Sequence, residues 1–229
     1  MLKKIESIKH FVGWMFNSFP SRRSLGYCAH NVIMDYPIRI DTPKNVYLYD
    51  NTKLREVRII NSPQEKVIIK KYTAIASFVT IVTSNHVSTV GIPHILLGSS
   101  HINDKSTDII IEEDCWVGTG AKLLSGTHLG RGCIVGAGSI VSKEIPPYAL
   151  VVGSPAKIVA VKFSIEQIME HERALYPEKE RFTRKYLETL FDEHFEGKKV
   201  YGKSGNITTI EKATLEKVKK RIHFVEPNF

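Results

Sequence analysis

No stretch of eighteen consecutive apolar residues occurs in the 229 residues, so no transmembrane helix is expected. A cleavable leader is not expected either. Lys3, Lys4, Glu6, Lys9 and His10 interrupt the apolar residues of the N-terminus too often to leave an h-region. Cysteine is scarce and odd in number: three, without the spacing of a metal site, which suits a reducing cytoplasm. No basic stripe interleaves with aromatics and no nucleic-acid motif is present, so the net charge of +8 does not point to a nucleic-acid partner. That charge is uneven: residues 1–161 hold 18 basic against 12 acidic side chains, and 162–229 hold 14 against 12.

What the chain does have is a repeat. From Ile111 to Ile145, cut into sixes, each block opens on a branched aliphatic residue: Ile111, Val117, Leu123, Leu129, Val135 and Val141. The second place is small at Gly118, Gly130, Gly136 and Ser142, and the fifth is compact at Cys115, Ala121, Thr127, Cys133 and Ser139. Neither a helical period nor a two-residue alternation gives this pattern. It reads as a coil that turns a corner every six residues, one aliphatic side chain pointing inward per face, with the small second residue allowing the bend. Three faces close a coil of eighteen residues, and coils stack at about 4.8 Å. Val117 should then stand under Val135, Cys115 under Cys133, and Trp116 beside Ile134. Cys115 and Cys133 read as core fillers.

Around this block the chain divides into a lead-in (1–37), a coil domain (38–160) and a helical extension (161–229). Apolar residues at 5, 8, 11, 12, 15, 16 and 19 predict a helix over Leu2–Phe19, a lid on the open end of the coil or, through Trp14 and Phe16, a peripheral contact with a membrane face. Coil-like sequence starts raggedly near Ile38, slips at Pro63, and rejoins the frame at Ile69, Ile75 and Ile81. From Val87 to Ile110 the frame is suspended, yet Ile111 resumes it in phase, which marks 87–110 as an inserted loop. Past Pro146-Pro147, Ser164 with Gln167 caps a helix to about Tyr176, residues 178–196 read as a second helix closed by Gly197, and Thr208 with Glu211 caps a third to about Ile222.

The segments VTIVTSNH (79–86) and EDCWVGTGAKLLSGTHLGRGCIVGAGSIVSKEIPPYALVVGSPAKIV (113–159) resemble the hexapeptide-repeat acyltransferases, in particular the xenobiotic and sugar O-acetyltransferase branch. The resemblance implies a left-handed parallel β-helix, homotrimeric and cytoplasmic, that moves an acetyl group from acetyl-CoA without a covalent enzyme intermediate and without a metal. It implies that His86 is the general base. On position alone, His86 takes the sixth, outward place of its block where the frame breaks into the loop, so its imidazole is open to solvent. Asn85 either helps hold the acceptor or is an inward corner residue, and His94 and His101 in the loop are candidate acceptor contacts. By the same resemblance Trp116 lines the pantetheine channel, Thr119 and Ala137 bond the pantetheine arm, Ser142 and Lys143 hold the cofactor's far portion, and Lys157 pairs with its phosphates. Where the family is often basic this chain has Ala160, with Lys162 as a substitute. The tail from Lys162 resembles transferases of bacterial surface polysaccharide synthesis, which implies a sugar or sugar-linked acceptor hydroxyl. An antibiotic O-acetyltransferase and a non-catalytic scaffold are the alternatives. A carbonic anhydrase-like zinc enzyme would need three histidines from His86, His94, His101 and His128 to meet.

Overall fold

The computed structural model describes residues 19–229. The helix expected over 2–19, with Trp14 and Phe16, lies outside the described residues except for Phe19. From Tyr27 onward the chain winds as a three-sided prism of short parallel strands. The first face stacks Tyr27–Cys28, Val46–Leu48, Val67–Ile69, Ile109–Ile111, His128–Leu129 and Glu144–Ile145. The second runs from Ile33–Asp35 through Lys53–Arg55, Ala74–Ile75, Trp116–Val117 and Ile134–Val135 to Ala149–Gly153. The third stacks Arg39–Ile40, Arg58–Ile60, Thr80–Val82, Lys122–Leu123 and Ile140–Val141. This is the expected β-helix.

The eighteen-residue step sets the register. Trp116 pairs with Ile134 and Val117 with Val135. Across the insertion Ile69 pairs with Ile111, Ile75 with Val117 and Ile81 with Leu123, so the frame resumes in phase. The first-place aliphatics Ile69, Ile75, Ile81, Ile111, Val117, Leu123, Leu129, Val135 and Val141 are all buried, and so are the fifth-place residues Thr73, Cys115, Ala121, Thr127, Cys133, Ser139 and Ile145. The polar ones among them are satisfied at the corners: Thr127 Oγ1 donates to the Val141 carbonyl (2.9 Å) and Thr73 Oγ1 to that of Glu112 (2.9 Å). Burial pushes the Cys115 thiol well up, which keeps it an inert filler.

Two features of the coil depart from the expected pattern. The bend is not carried by the small second place. Left-handed backbone falls on the fourth place of seven blocks, at Tyr72, Phe78, Asp114, Gly120, Gly126, Gly132 and Gly138. The second place is small because the neighbouring coil presses on it. A Cβ on Gly118 would lie 2.6 Å from the Ala137 nitrogen, and one on Gly130 would lie 2.6 Å from that of Pro147. The coil also begins at Tyr27–Cys28, which pairs with Tyr47–Leu48, rather than near Ile38. The slip at Pro63 is a lengthened coil: Leu48 pairs with Ile69, and the surplus residues swell the corner at Ser62–Glu65. Asn45 Nδ2 pins that corner by donating to the carbonyls of Pro63 (2.7 Å) and Glu65 (3.1 Å).

The loop leaves after buried Thr83, pairs Ser84–Asn85 antiparallel with Lys105–Ser106, and carries helix α1 (His94–Ser100) at its tip. At the far end Ala156–Val161 folds back antiparallel on Ala149–Gly153, and Lys199–Val200 adds beside it. Helix α2 (Ile165–Leu175) and helix α4 (Thr209–Arg221) start on the expected capping boxes. The middle segment is broken: a 3₁₀ turn at Glu178–Glu180 precedes helix α3 (Arg184–His194), because Thr183 caps the Tyr186 amide and starts the helix anew.

Polar side chains fasten the extension to the coil. Asp114 Oδ2 accepts from Lys162 Nζ (2.5 Å) and from His171 Nε2 (2.9 Å). Burial alone would raise the Asp114 carboxyl. The His171 hydrogen bond and the Lys162 charge outweigh it and hold the carboxyl below its ordinary value. A depressed carboxylate stabilises the fold above its unfolded pKa, and that contribution is lost as pH falls through the lower folded value. Asp114→Asn, which keeps a side chain that tolerates left-handed backbone, should therefore melt earlier at neutral pH. The expected loss is on the order of 2 kcal/mol, and thermal melts across a pH series should show the gap closing below about pH 4.

Candidate active site

The hairpin at the root of the loop places the chemistry. Continuing its antiparallel register by one residue beyond Asn85 and Lys105 sets His86 across from Asp104. His86 Nδ1 lies 3.0 and 3.1 Å from the two Asp104 carboxylate oxygens. His101 Nδ1 lies 2.8 Å from Oδ2 of the same carboxylate, and the two imidazoles are 5.5 Å apart. The carboxylate is only 11% exposed beneath His86 at 42% and His101 at 65%. A carboxylate can only accept, so each imidazole presents Nδ1–H to it, and the neutral His86 ring keeps an open lone pair on Nε2. Gly98 of α1 stands near that nitrogen, 3.9 Å from where a Cβ would be, so the helix leaves room there. The Asp104 carboxyl is held below its usual range, chiefly by the His101 hydrogen bond and then by that of His86, against partial desolvation.

Asp104 is absent from the sequence reading. Its one sequence signal was that it is the sole acidic residue between Val87 and Thr107.

Beside this cluster opens a groove of about 900 Å³. One wall is the swollen corner, Ser62 to Glu65, and the other is the returning hairpin strand, Asp104 to Thr107, with Ser84 and His101. Hydroxyls of Ser62, Ser84, Ser106 and Thr107 and carboxylates of Glu65 and Asp104 open into it among surface that is mostly apolar. Asn85 is exposed on the hairpin, not turned inward at a corner. His94 Nε2 lies 3.1 Å from Ser88 Oγ, and His128 Nε2 lies 3.0 Å from Glu112 on the first face. Of the four histidines a three-histidine zinc site could draw on, only His86 and His101 converge.

The positions expected to hold the cofactor lie on other parts of the prism. Trp116 is half exposed on the second face, paired between Ala74 and Ile134. Thr119 and Ala137 are exposed at the edge between the second and third faces, where the Gly138 amide donates to the Thr119 carbonyl (2.9 Å). At Gly120 and Gly138 on this edge an added Cβ would meet nothing, so the edge is open enough for an extended chain to lie along it. Ser142 and Lys143 are exposed on the edge between the third and first faces, the edge that carries the His86 loop two coils away. Lys157 is exposed on Ala156–Val161. Lys162 does not substitute for the missing base at Ala160, because Asp114 engages its ammonium. A single chain thus places His86 on one prism edge and Thr119 and Ala137 on another. Helix α1 meanwhile presents Ile95 and Leu96 outward, with Val90 and Ile102 beside it. Among the described residues no helix is long and apolar enough to cross a membrane.

Residues 108–143 match the bacterial transferase hexapeptide family as six repeats, the frame read from the aliphatic spacing. Among curated proteins, a chloramphenicol acetyltransferase of Morganella morganii is 39% identical over 64 residues, which is 28% of this chain and 30% of that protein. Two solved structures share the coil. A hexapeptide-repeat acetyltransferase of Vibrio cholerae, complexed with acetyl coenzyme A, superposes with a TM-score of 0.54 at 23% identity, covering 61% of this chain and 73% of that one. A maltose O-acetyltransferase of Clostridium difficile does so with 0.54 at 24% identity, covering 70% and 87%. These likenesses establish the left-handed parallel β-helix.

Proposed function

We propose that this chain transfers an acetyl group from acetyl-CoA to a sugar hydroxyl, with His86 as general base. The observation that carries the reading is the His86–Asp104 pair at the rim of a groove into which hydroxyls and carboxylates open, on a coil that matches the transferase hexapeptide family. Nε2 takes the acceptor's hydroxyl proton as the oxygen attacks the thioester carbonyl. The carbon–sulfur bond then breaks, and the departing thiolate takes the proton back from the imidazolium. Asp104 keeps Nδ1 protonated, steadies the imidazolium while it lasts, and needs no proton of its own. Transfer is direct, so no residue is acylated.

Acetyl-CoA lies along the open edge at Thr119 and Ala137, against Trp116, with Lys157 toward its phosphates and Ser142 and Lys143 near its far portion. That edge and His86 are separate on one chain, so the working site is shared between copies in a homotrimer, and the apolar face of α1 is covered by the neighbour. Asn85, His94 and His101 ring the acceptor's approach. The hydroxyls and carboxylates that open into the groove support a polyhydroxylated acceptor, and on this reading the protein serves surface-polysaccharide synthesis at the cytoplasmic side of a bacterial membrane.

Purified protein incubated with acetyl-CoA and a panel of maltose, UDP-hexoses and chloramphenicol should release free thiol with a sugar, and mass spectrometry should find the acetylated product. Glu65→Ala should raise the KM for that sugar about tenfold, as loss of a hydrogen bond to a charged group does, with the KM for acetyl-CoA unchanged. Release of thiol with none of the panel, or with chloramphenicol alone, would overturn the sugar reading.

A further inference from the structure

We infer that His86, His101 and Asp104 form a binding site for a borderline divalent cation, zinc foremost, whose occupation switches acetyl transfer off. The second half rests on the role proposed for His86; the first does not.

One ligand atom from each residue can be chosen so that all three lie within 4.8 Å of one another. Two imidazole nitrogens with one carboxylate oxygen suit zinc, cobalt or nickel, whereas magnesium and calcium prefer oxygen alone. Zinc bonds of about 2.0–2.1 Å in a tetrahedron set neighbouring ligand atoms about 3.3 Å apart. The two imidazole nitrogens stand 3.0 and 2.8 Å from the carboxylate and the three donors lie within 4.8 Å of one another, so rotation of the exposed rings would have to draw them in around an ion.

The arrangement is held before any ion arrives. His101 closes α1 in left-handed backbone with its amide bonded to the Leu97 carbonyl (2.8 Å), and Asn103 is left-handed as well. That tight turn brings the His101 ring over Asp104, three residues on. The hairpin supplies His86 from the opposite strand. Both rings are exposed, so an ion has a path in and a water can fill the fourth position.

The inhibitory consequence follows from where the imidazole proton goes. In the metal-free chain each neutral ring carries its proton on Nδ1, facing Asp104. A cation bound at Nδ1 takes that lone-pair position, and the proton moves to Nε2. The net proton count does not change, but Nε2 becomes a donor. His86 then has nothing with which to accept the acceptor's hydroxyl proton.

The test uses the full-length protein, stripped with EDTA and dialysed against zinc chloride, with bound metal measured by atomic emission. One zinc per chain is expected, with cobalt(II) giving the visible spectrum of a tetrahedral site and magnesium not retained. His101→Asn, which tolerates the left-handed backbone, should weaken zinc binding at least tenfold, while His128→Ala, outside the cluster, should leave it intact. Zinc should halt thiol release from acetyl-CoA, and EDTA should restore it. Zinc well below one per chain, or equal affinity in His101→Asn, overturns the site. Full binding with undiminished transfer leaves the site standing and overturns both the switch and the base role of His86.

Discussion

Alanine at position 86 should lower kcat for acetyl transfer by about 10²–10⁴, the usual worth of a positioned general base, with little change in the KM for acetyl-CoA. His86 is exposed and belongs to the loop, not to the buried stack of the coil, so melting should not move. Asp104→Asn separates the two halves of the pair. Asparagine can turn its carbonyl toward one ring only, and the carboxylate now serves two. A smaller loss in kcat is expected, with the pH–rate profile displaced, because the imidazolium loses its counter-charge. Steady-state kinetics of thiol release across pH would show both effects. A His86→Ala protein within threefold of the parent would remove the imidazole from the mechanism and leave the groove as a binding cleft.

The largest effect on stability should come from Arg131. Its Nη1 donates to Glu172 (2.9 Å) and to the Glu180 carbonyl (2.8 Å), its Nε faces Glu113 (3.3 Å), and its guanidinium lies 4.1 Å from the centre of the Tyr176 ring. Glu172 is 1% exposed and, among the described residues, otherwise has only the Tyr148 hydroxyl (2.7 Å) and the Phe182 amide (3.3 Å) as donors. Arg131→Ala strands a carboxylate in the interior. Loss of one partner of a buried pair costs about 3–5 kcal/mol, or roughly 6–20 °C in Tm for a chain of this size. Calorimetry would measure it. The double variant Arg131→Ala/Glu172→Gln should recover part of the loss, since no charge then remains unpaired. A drop of under about 2 °C in the single variant would mean that water reaches Glu172 and the pair holds little.

The coil was readable because each inward aliphatic is dictated by position. Ile111, Val117 and Leu123 repeat every six residues because each fills the interior from one of the three faces, and Ser164 and Thr208 announce their helices through local hydrogen bonds alone. What escaped depends on contacts between distant residues or on disguised types. Asp104 meets His86 through the register of a hairpin inside a segment with no periodicity. The left-handed fourth place is hidden where Tyr72, Phe78 and Asp114 stand instead of glycine. Lys162 reads as a spare cation until the fold brings Asp114 to it. The first coil lacks the six-residue signal, since its inward residues, Leu25, Ala29, Val32, Ile38 and Ile40, are unevenly spaced.

Because the excursion after Thr83 returns to Ile109 without displacing a single rung, Ile69 still meets Ile111 and Ile81 still meets Leu123 as though nothing lay between them. The loop's side of the groove is thereby uncoupled from the stack. A cassette of another length or composition could be spliced between the same two joints, reshaping one wall of the groove while the coil below goes on folding as before.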